Sequence, residues 1–312
     1  MGLVLGALNL GLILSFLGFG VYLSFKVINF PDLTADGSFA LGAAVTALFL
    51  VSGYSPVTAC VAGMGSGLLA GLATGLLHVR AKIKPLLAGI LVMTGLYTVN
   101  LRVMGRSNIS LLQEKTFYTF GEPVLQLPGG MPHFRVWGME FLRPELYAFL
   151  LNAALVLVVG FLLYGFLKTE LGLALRATGD NPVMIRSLGA HLGKMKILAL
   201  MLSNGMIAFS GSLLAQYQGF SDVQMGFGMI VFGFAIVVVG EALAGKGGTG
   251  PAILGLVAGS LLFRLLAALA LRCGLHPYDL KLATAAFLLM ALLYSKFLAS
   301  ALGKRRKARL DP

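Results

Sequence analysis

The sequence predicts an all-α membrane protein of about nine transmembrane helices. Of its 312 residues, 58% are hydrophobic and 12% are charged, and the mean hydropathy is +0.89. Soluble domains carry about 25% charged residues, so a chain this apolar needs lipid as its solvent. The 41 glycines agree with this prediction, because small residues let membrane helices pack closely.

The apolar segments are each near the length of about 20 residues that crosses a bilayer. In chain order, we predict spans at 3–28, 36–53, 56–78, 85–104, 145–167, 195–216, 226–244, 250–272 and 281–302. Four of these spans have a proline at or next to their start, where the missing N–H costs little: Pro56, Pro85, Pro144 and Pro251.

The distribution of lysine and arginine predicts the orientation, because these residues favour the cytoplasmic side. They gather after the third span, in or beside residues 168–194, and in the tail: Arg80, Lys82, Lys84, Lys168, Arg176, Arg186, Lys194, Lys196, Lys304, Arg305, Arg306, Lys307 and Arg309. With nine spans, all three groups lie on one side. We therefore expect a cytoplasmic C-terminus and an N-terminus outside.

This sidedness also gives the domain organisation. We predict one transmembrane domain, residues 1–303, with an outer loop at 105–144 and a cytoplasmic segment at 168–194. Residues 304–312 form a basic cytoplasmic tail that contacts anionic membrane lipid. The net charge of +12 follows the sidedness of the membrane, so it does not indicate a nucleic-acid partner.

Two polar stretches interrupt the apolar pattern, at residues 29–39 and 216–227. Each contains Phe-x-Asp, ending at Asp32 and at Asp222, and the two copies lie 190 residues apart. Five predicted spans separate the copies, so the second is inverted relative to the first. Inverted repeats with interrupted segments in matching positions are typical of a transporter's central site.

The first stretch supplies the candidate site, because carboxylates within an apolar run are costly in lipid. One interpretation is structural: Thr34 or Asp36 caps the second helix and Asp32 holds the turn. The other is that this stretch lines or gates a pathway. The pathway candidates, completed by an asparagine of the sixth span, are Asn29, Phe30, Asp32, Thr34, Asp36 and Asn204.

The sequence indicates no catalytic or metal-binding residues. The four histidines are scattered singly, without the spacing of metal ligands: His78, His133, His191 and His276. Residues 240–247 match most of a phosphate-binding loop. They lack its final Ser or Thr, however, and they follow a membrane helix instead of a strand. We therefore do not expect the chain to hydrolyse nucleotide.

Residues 171–189 carry Gly-Leu-x-x-Arg-Ala, then Asp180-Asn181-Pro182, then a glycine near the end. We expect a turn between two short helices, in which Asp180 can cap the helix that begins at Asn181 or Pro182. This stretch resembles the coupling segment of bacterial ATP-binding cassette (ABC) importer permeases of the branched-chain amino acid permease superfamily. Val27-Ile28-Asn29-Phe30 resembles the family's junction between its first two helices. The following residues 31–37 depart from the histidine-glycine turn of the branched-chain permeases. They suggest a sister group of uncharacterised permeases grouped with importers of aromatic amino acids or related solutes.

The resemblance implies a type II-like ABC importer permease with an inverted repeat, in the bacterial inner membrane. It further implies a homodimer, a cytoplasmic ATPase that holds ATP and magnesium, and an extracytoplasmic substrate-binding protein. No cofactor is expected in this chain itself. The solute would be a small organic compound, an amino acid or a relative of one. The residues that would contact the ATPase are Arg176, Asp180, Asn181 and Arg186.

Two other functions fit the sequence less well. A stand-alone secondary transporter would use Asp32 and Asp36 to bind a coupling proton or cation. A scaffold or anchored assembly factor would need no pathway, and bulky residues at Thr34 or Gly37 would then be tolerated.

Overall fold

The computed structural model describes residues 2–119, 133–136, 139–187, 189, 191–245, 248–274, 276, 279, 282–290 and 293. The helices are α1 (Gly2–Val21), α2 (Thr34–Val51), α3 (Pro56–Val79), α4 (Pro85–Met104), α5 (Arg143–Lys168), α6 (Glu170–Asp180), α7 (Pro182–Ser187), α8 (Leu192–Gln218), α9 (Met229–Ala244) and α10 (Thr249–Arg272). Residues 282–290 are also helical. Two antiparallel strand pairs join β1 (Asn108–Ser110) to β4 (Phe220–Asp222) and β2 (His133–Val136) to β3 (Met139–Leu142).

Seven helices in the described part of the chain are long and apolar enough to cross a membrane: Val4–Val27, Thr34–Val51, Pro56–Val79, Pro85–Met104, Pro144–Lys168, Leu192–Gln218 and Thr249–Arg272. These bounds agree with seven of the predicted spans to within about three residues. The eighth, α9, is apolar but only 16 residues long. The ninth, at 281–302, is described only at 282–290 and 293, and the tail 304–312 lies outside the described residues. The count of nine and the orientation stay predictions.

The first span does not end as a regular α-helix. Tyr22–Val27 form a π-helix that continues α1, and Asn29 then adopts a positive φ of 56°. Residues 28–33, which we call the first junction, lead from there to α2. A π-helical turn has one extra residue per hydrogen-bonded ring and is frequent at functional sites.

The two halves of the chain share one arrangement. α8 begins 190 residues after α1, and α10 follows α9 as α3 follows α2. Residues 219–228, the second junction, connect α8 to α9 as the first junction connects α1 to α2. The helix α9 is shorter than α2 because its junction is longer by several residues.

The first helix of each half packs into the other half. α1 contacts α9 and α10 of the second half, and α8 contacts α2 and α3 of the first. α1 also contacts α5 of its own half, and α1 and α8 contact one another. Both are among the most buried helices, and their side chains form much of the main apolar core. The core therefore depends on both repeats at once.

Glycines allow the backbones of α2 and α8 to come into direct contact. A Cβ at Gly42 of α2 would overlap the carbonyl group of Ala208, and a Cβ at Gly211 of α8 would overlap that of Phe39. In lipid there is little hydrophobic force between helices, so close packing and interhelical hydrogen bonds hold them together. Two such bonds run from Ser203 Oγ to the Gly20 carbonyl (2.7 Å) and from Ser210 Oγ to the Ile13 carbonyl (2.8 Å).

Candidate functional site

The first junction is held by the carboxylate of Asp32, which is only 3% exposed. The Thr34 amide donates to its Oδ1 at 2.9 Å, and Asn204 Nδ2 donates to its Oδ2 at 2.7 Å. Asn204 lies near the middle of the 27-residue α8. Asp32 thus links the beginning of α2 to the middle of α8. Hydrogen bonds to both of its carboxylate oxygens offset the cost of burying the charge.

A second layer of polar contacts surrounds this carboxylate. Ser38 Oγ donates to Asn204 Oδ1 at 2.7 Å, while Asn204 Nδ2 also donates to the Leu200 carbonyl at 3.0 Å. The hydroxyls of Thr34 and Thr74 lie 2.7 Å apart. All of these side chains are buried. A network this complete rigidifies the junction.

The carboxylate of Asp36 caps a helix other than its own. Its Oδ2 accepts from the Gly228 amide at 2.9 Å, and its Oδ1 accepts from the Ile230 amide at 2.7 Å. Helix N-termini carry unpaired N–H groups and a partial positive charge, so a carboxylate stabilises them. The structural interpretation was therefore correct for Asp32, but Asp36 caps α9 instead of α2.

The remaining candidates of the first junction lie apart from this network. Asn29 is exposed. Phe30 is buried, and its ring lies edge-to-face with His78, with 5.1 Å between ring centroids. The role of the six candidates as pathway-lining residues stays a prediction.

The second junction repeats the local geometry of the first. The Gln224 amide donates to Asp222 Oδ1 at 2.7 Å, as the Thr34 amide does to Asp32. The other oxygen of Asp222 accepts from Asn108 Nδ2 at 3.4 Å, where β4 pairs with β1. The Phe-x-Asp match seen in the sequence therefore corresponds to the same turn in both halves.

A cavity of about 550 Å³ lies between α2, α4 and the second junction. It is lined by Asp36, Gly37, Ala40, Met93, Thr94, Tyr97, Thr98, Asn100, Val223, Gln224 and Phe227. Of the six residues predicted to line a pathway, only Asp36 reaches this cavity. We did not predict the residues of α4, because this helix resembles an ordinary apolar span. The signal available was the spacing of Thr94, Tyr97 and Thr98, which puts polar groups on one helix face.

The predicted coupling segment forms two short helices, α6 and α7, as expected. Asn181 Oδ1 accepts from the Met184 amide at 3.1 Å, so Asn181 caps α7 and Asp180 does not. Asp180, Asn181 and Arg186 are exposed. Arg176 is turned inward, since its guanidinium donates to the Leu167 carbonyl at 3.1 Å.

Metal chemistry finds no support in the described ranges, where no three His, Cys, Asp or Glu residues group closely enough to hold an ion. Asp32 and Asp36 are both occupied by protein donors. These hydrogen bonds therefore hold the two junctions rigidly beside an open cavity. Such a site suits the passage of a solute better than it suits a chemical reaction.

Comparison with known proteins gives the family. The chain matches the model of the branched-chain amino acid transport system permease component over residues 3–295. It is 40% identical to the tyrosine transport system permease protein of Clostridioides difficile, over 93% of this chain and 89% of that protein. It is 32% identical to an uncharacterized protein of Rickettsia prowazekii over 72% of each chain. It is 28% identical to the galactofuranose transporter permease protein of Escherichia coli, over 59% of this chain and 48% of that protein.

These matches confirm the family that the sequence resembled. Permeases of this family work with a separate ATPase, which hydrolyses ATP, and with a substrate-binding protein. The chain therefore belongs to the branched-chain amino acid permease family, as the multi-pass inner-membrane permease subunit of a bacterial ABC importer.

Proposed function

We propose that this permease imports an amino acid with an aromatic side chain, as one of two identical subunits that each bind an ATPase through residues 168–194. The similarity to a tyrosine transport permease over 93% of the chain supports the solute class. The observation that carries the coupling is the position of α6, which abuts the end of the π-helix. A Cβ at Gly179 would overlap the Val27 carbonyl oxygen.

The surface of the coupling segment suits a protein partner. Val183 and Met184 of α7 are 79% and 53% exposed, beside the exposed Asp180, Asn181 and Arg186. Exposed apolar residues with a polar rim are typical of protein interfaces. We therefore assign the ATPase contact to the predicted residues Asp180, Asn181 and Arg186, with Val183 and Met184 at its centre. Arg176 instead anchors α6 to the end of α5.

A movement of α6 has a short route to the cavity. Gly179 contacts the end of the π-helix, the first junction follows it, and Asp32 fixes that junction to α8. Beyond the junction, Asp36 joins the start of α2 to the start of α9. Because the backbones meet closely at Gly179 and the hydrogen bonds of Asp32 and Asp36 are buried or partly buried, displacement of α6 by the ATPase shifts both junctions together.

The homodimer places α4 against the second subunit. Of the seven spans found among the described residues, this helix has the smallest buried share, and a Cβ at Gly95 would meet no atom within 4 Å. A cysteine introduced at Gly95 should form a disulfide between two subunits in membranes, whereas the native chain, with Cys60 and Cys273, should not. This interface would be contradicted if the Gly95→Cys variant formed no disulfide between subunits, whether or not the native chain formed one.

The experiment that tests coupling is co-purification with the ATPase and uptake of labelled tyrosine into proteoliposomes that contain the binding protein. Val183→Asp should abolish ATPase binding and uptake, because a charge would be buried in the interface. Leu112→Asp is the matched control, since Leu112 is equally exposed at 81% but lies in the 105–144 connection. Normal ATPase binding by Val183→Asp would overturn the assignment.

The rival function, a secondary transporter, makes the opposite prediction. It requires accumulation of solute by the purified permease alone on a proton or sodium gradient. We expect no accumulation without the ATPase, because the donors around Asp32 and Asp36 are part of the protein itself. Gradient-driven uptake that Asp36→Asn abolishes would establish the rival.

A further inference from the structure

We propose that the cavity between α2, α4 and the second junction is a solute-binding site, in which Asn100 accepts a hydrogen bond from the ammonium group of an aromatic amino acid. This inference rests on the proposed function, because it names the groups of the solute that the permease itself recognises. Nothing in the described chain supplies the hydrogen bond that Asn100 lacks.

Asn100 is buried but only half satisfied. Its side chain is 1% exposed, and its Oδ1 has no hydrogen-bond partner among the described residues. A buried acceptor without a donor is costly, and such atoms are uncommon in folded proteins. Because Asn100 is one of the residues lining the cavity, a donor placed in the cavity is the simplest way to satisfy it.

The orientation of the amide makes this atom an acceptor. Asn100 Nδ2 donates to the carbonyl oxygen of Gly37, at 3.4 Å. Rotating the amide by half a turn would set two oxygens against each other, so the hydrogen-bond network fixes Oδ1 on the unpaired side. The missing partner must therefore be a donor.

The charge of the lining favours a cationic donor. Asp36 contributes a carboxylate to the cavity, and none of the eleven lining residues is a lysine, arginine or histidine. Asp36 is held rigidly by the amides of Gly228 and Ile230. The negative charge of Asp36 attracts an ammonium group, and the Asn100 oxygen can accept a hydrogen bond from it. An anionic solute would find no counter-charge among these eleven described lining residues.

The rest of the lining suits an aromatic side chain and a carboxylate. Tyr97 and Phe227 provide rings, and Met93 provides a polarisable thioether, which are groups that pack well on an aromatic ring. Thr98 and Gln224 provide neutral donors for a carboxylate, whereas the Thr94 hydroxyl donates to the Ile90 carbonyl of its own helix at 2.8 Å. A volume of about 550 Å³ is within the range of about 300–1,000 Å³ for small-molecule sites.

The test measures binding to the purified permease, without ATPase or binding protein, by ligand-detected saturation-transfer NMR in nanodiscs. The probes are phenylalanine, phenethylamine, which keeps the ring and ammonium group, and 3-phenylpropionate, which keeps the ring and carboxylate. We expect phenylalanine and phenethylamine to bind. We expect 3-phenylpropionate to bind at least about tenfold more weakly, as for loss of a hydrogen bond to a charged group.

Asn100→Leu should remove the preference for the ammonium group. It should weaken phenylalanine about tenfold while leaving the thermal stability unchanged or higher, because an unsatisfied buried group is lost. Tyr97→Leu provides a second variant on an exposed position, and Tyr54→Leu is its control, since the two tyrosines are 48% and 58% exposed and only Tyr97 lines the cavity. We expect Tyr97→Leu to weaken binding and Tyr54→Leu not to.

Unchanged binding in both Asn100→Leu and Tyr97→Leu would overturn the site, as would equal binding of phenethylamine and 3-phenylpropionate. Uptake of labelled tyrosine separates this failure from failure of the proposed function. ATP-driven uptake without these binding differences would reject only the site. Binding without ATP-driven uptake of any aromatic amino acid would reject the proposed function.

Discussion

The two junctions share one turn but differ in their surroundings. In both, an aspartate accepts a hydrogen bond from the amide two residues later, at Asp32 and at Asp222. The second oxygen of Asp32 is bound by Asn204 in the buried centre, whereas that of Asp222 is bound by Asn108 in an exposed connection. The first junction is therefore a buried, rigidly hydrogen-bonded turn, and the second is a partly open loop beside the cavity.

This difference assigns separate tasks to the two copies of one motif. The first copy fixes α2 to α8 and receives the contact from α6. The second copy contributes Gln224 and Phe227 to the cavity. The connection between them is Asp36, which belongs to the first half and caps a helix of the second. Substitutions in the two junctions should accordingly affect stability to very different extents.

The largest expected effect comes from the matched pair Asp32→Ala and Asp222→Ala. Asp32→Ala leaves one N–H of the Asn204 amide and the Thr34 N–H unpaired in a buried site, which should cost about 3 kcal/mol or more of folding free energy. Asp222→Ala should cost less than about 1 kcal/mol. Thermal unfolding in detergent, with the monodisperse fraction as a second readout, measures both. Equal destabilisation by the pair would refute the contrast between the junctions.

The second largest loss of stability should come from a substitution in the second junction whose added side chain meets the first half of the chain. A Cβ at Gly226 would overlap the carbonyl oxygen of Asp36, so Gly226→Ala should destabilise by about 1–3 kcal/mol through overpacking. Gly65→Ala is the control, because a Cβ there meets no atom within 4 Å. The same unfolding assay applies, and a Gly226→Ala protein as stable as Gly65→Ala would show that the junctions are not in tight contact.

Removal of the cap on α9 should have a moderate effect. Asp36→Ala frees the amides of Gly228 and Ile230 and should cost about 1–2 kcal/mol, whereas Asp36→Asn should retain part of the cap. Hydrogen exchange of the α9 amides, followed by mass spectrometry, should localise the loss to the first turn of that helix. Faster exchange in the first turn of α2 instead would indicate that Asp36 caps its own helix.

The smallest expected effect on stability is at the cavity. Gln224→Ala and Phe227→Ala should each change the free energy of unfolding by no more than about 0.5 kcal/mol, since neither residue is buried. Both should nevertheless weaken phenylalanine binding in the NMR assay. A large loss of stability in either variant would mean that the second junction is as structural as the first.

Much of the fold could be predicted from the sequence, because hydrophobic length sets the spans and proline marks their starts. The 190-residue repeat was also visible as Phe-x-Asp, since the turn needs the same aspartate in both copies. The shortness of α9 was not predictable, because the apolar residues 226–228 extend the pattern although they belong to the junction.

The candidate site was predictable only in part. Asp32, Thr34 and Asn204 were identified as unusual, and they do meet, but a sequence does not reveal that protein donors satisfy them completely. Asn100 was overlooked for the opposite reason. One asparagine in an apolar helix attracts little attention, and its importance depends on the acceptor left unpaired by the fold.

The exchange of α1 and α8 between the halves has a consequence for synthesis in the cell. Among the described helices, α8 fills the groove of α2 and α3 at Gly42, and α8 is complete at Gln218. α3 ends at Val79, so 139 further residues (218 − 79) must be made first. At bacterial elongation rates this delay is on the order of ten seconds. During this delay the nascent α2 and α3 lie in the bilayer with the glycine face at Gly42 in contact with lipid. A chain truncated before α8 therefore cannot complete either half.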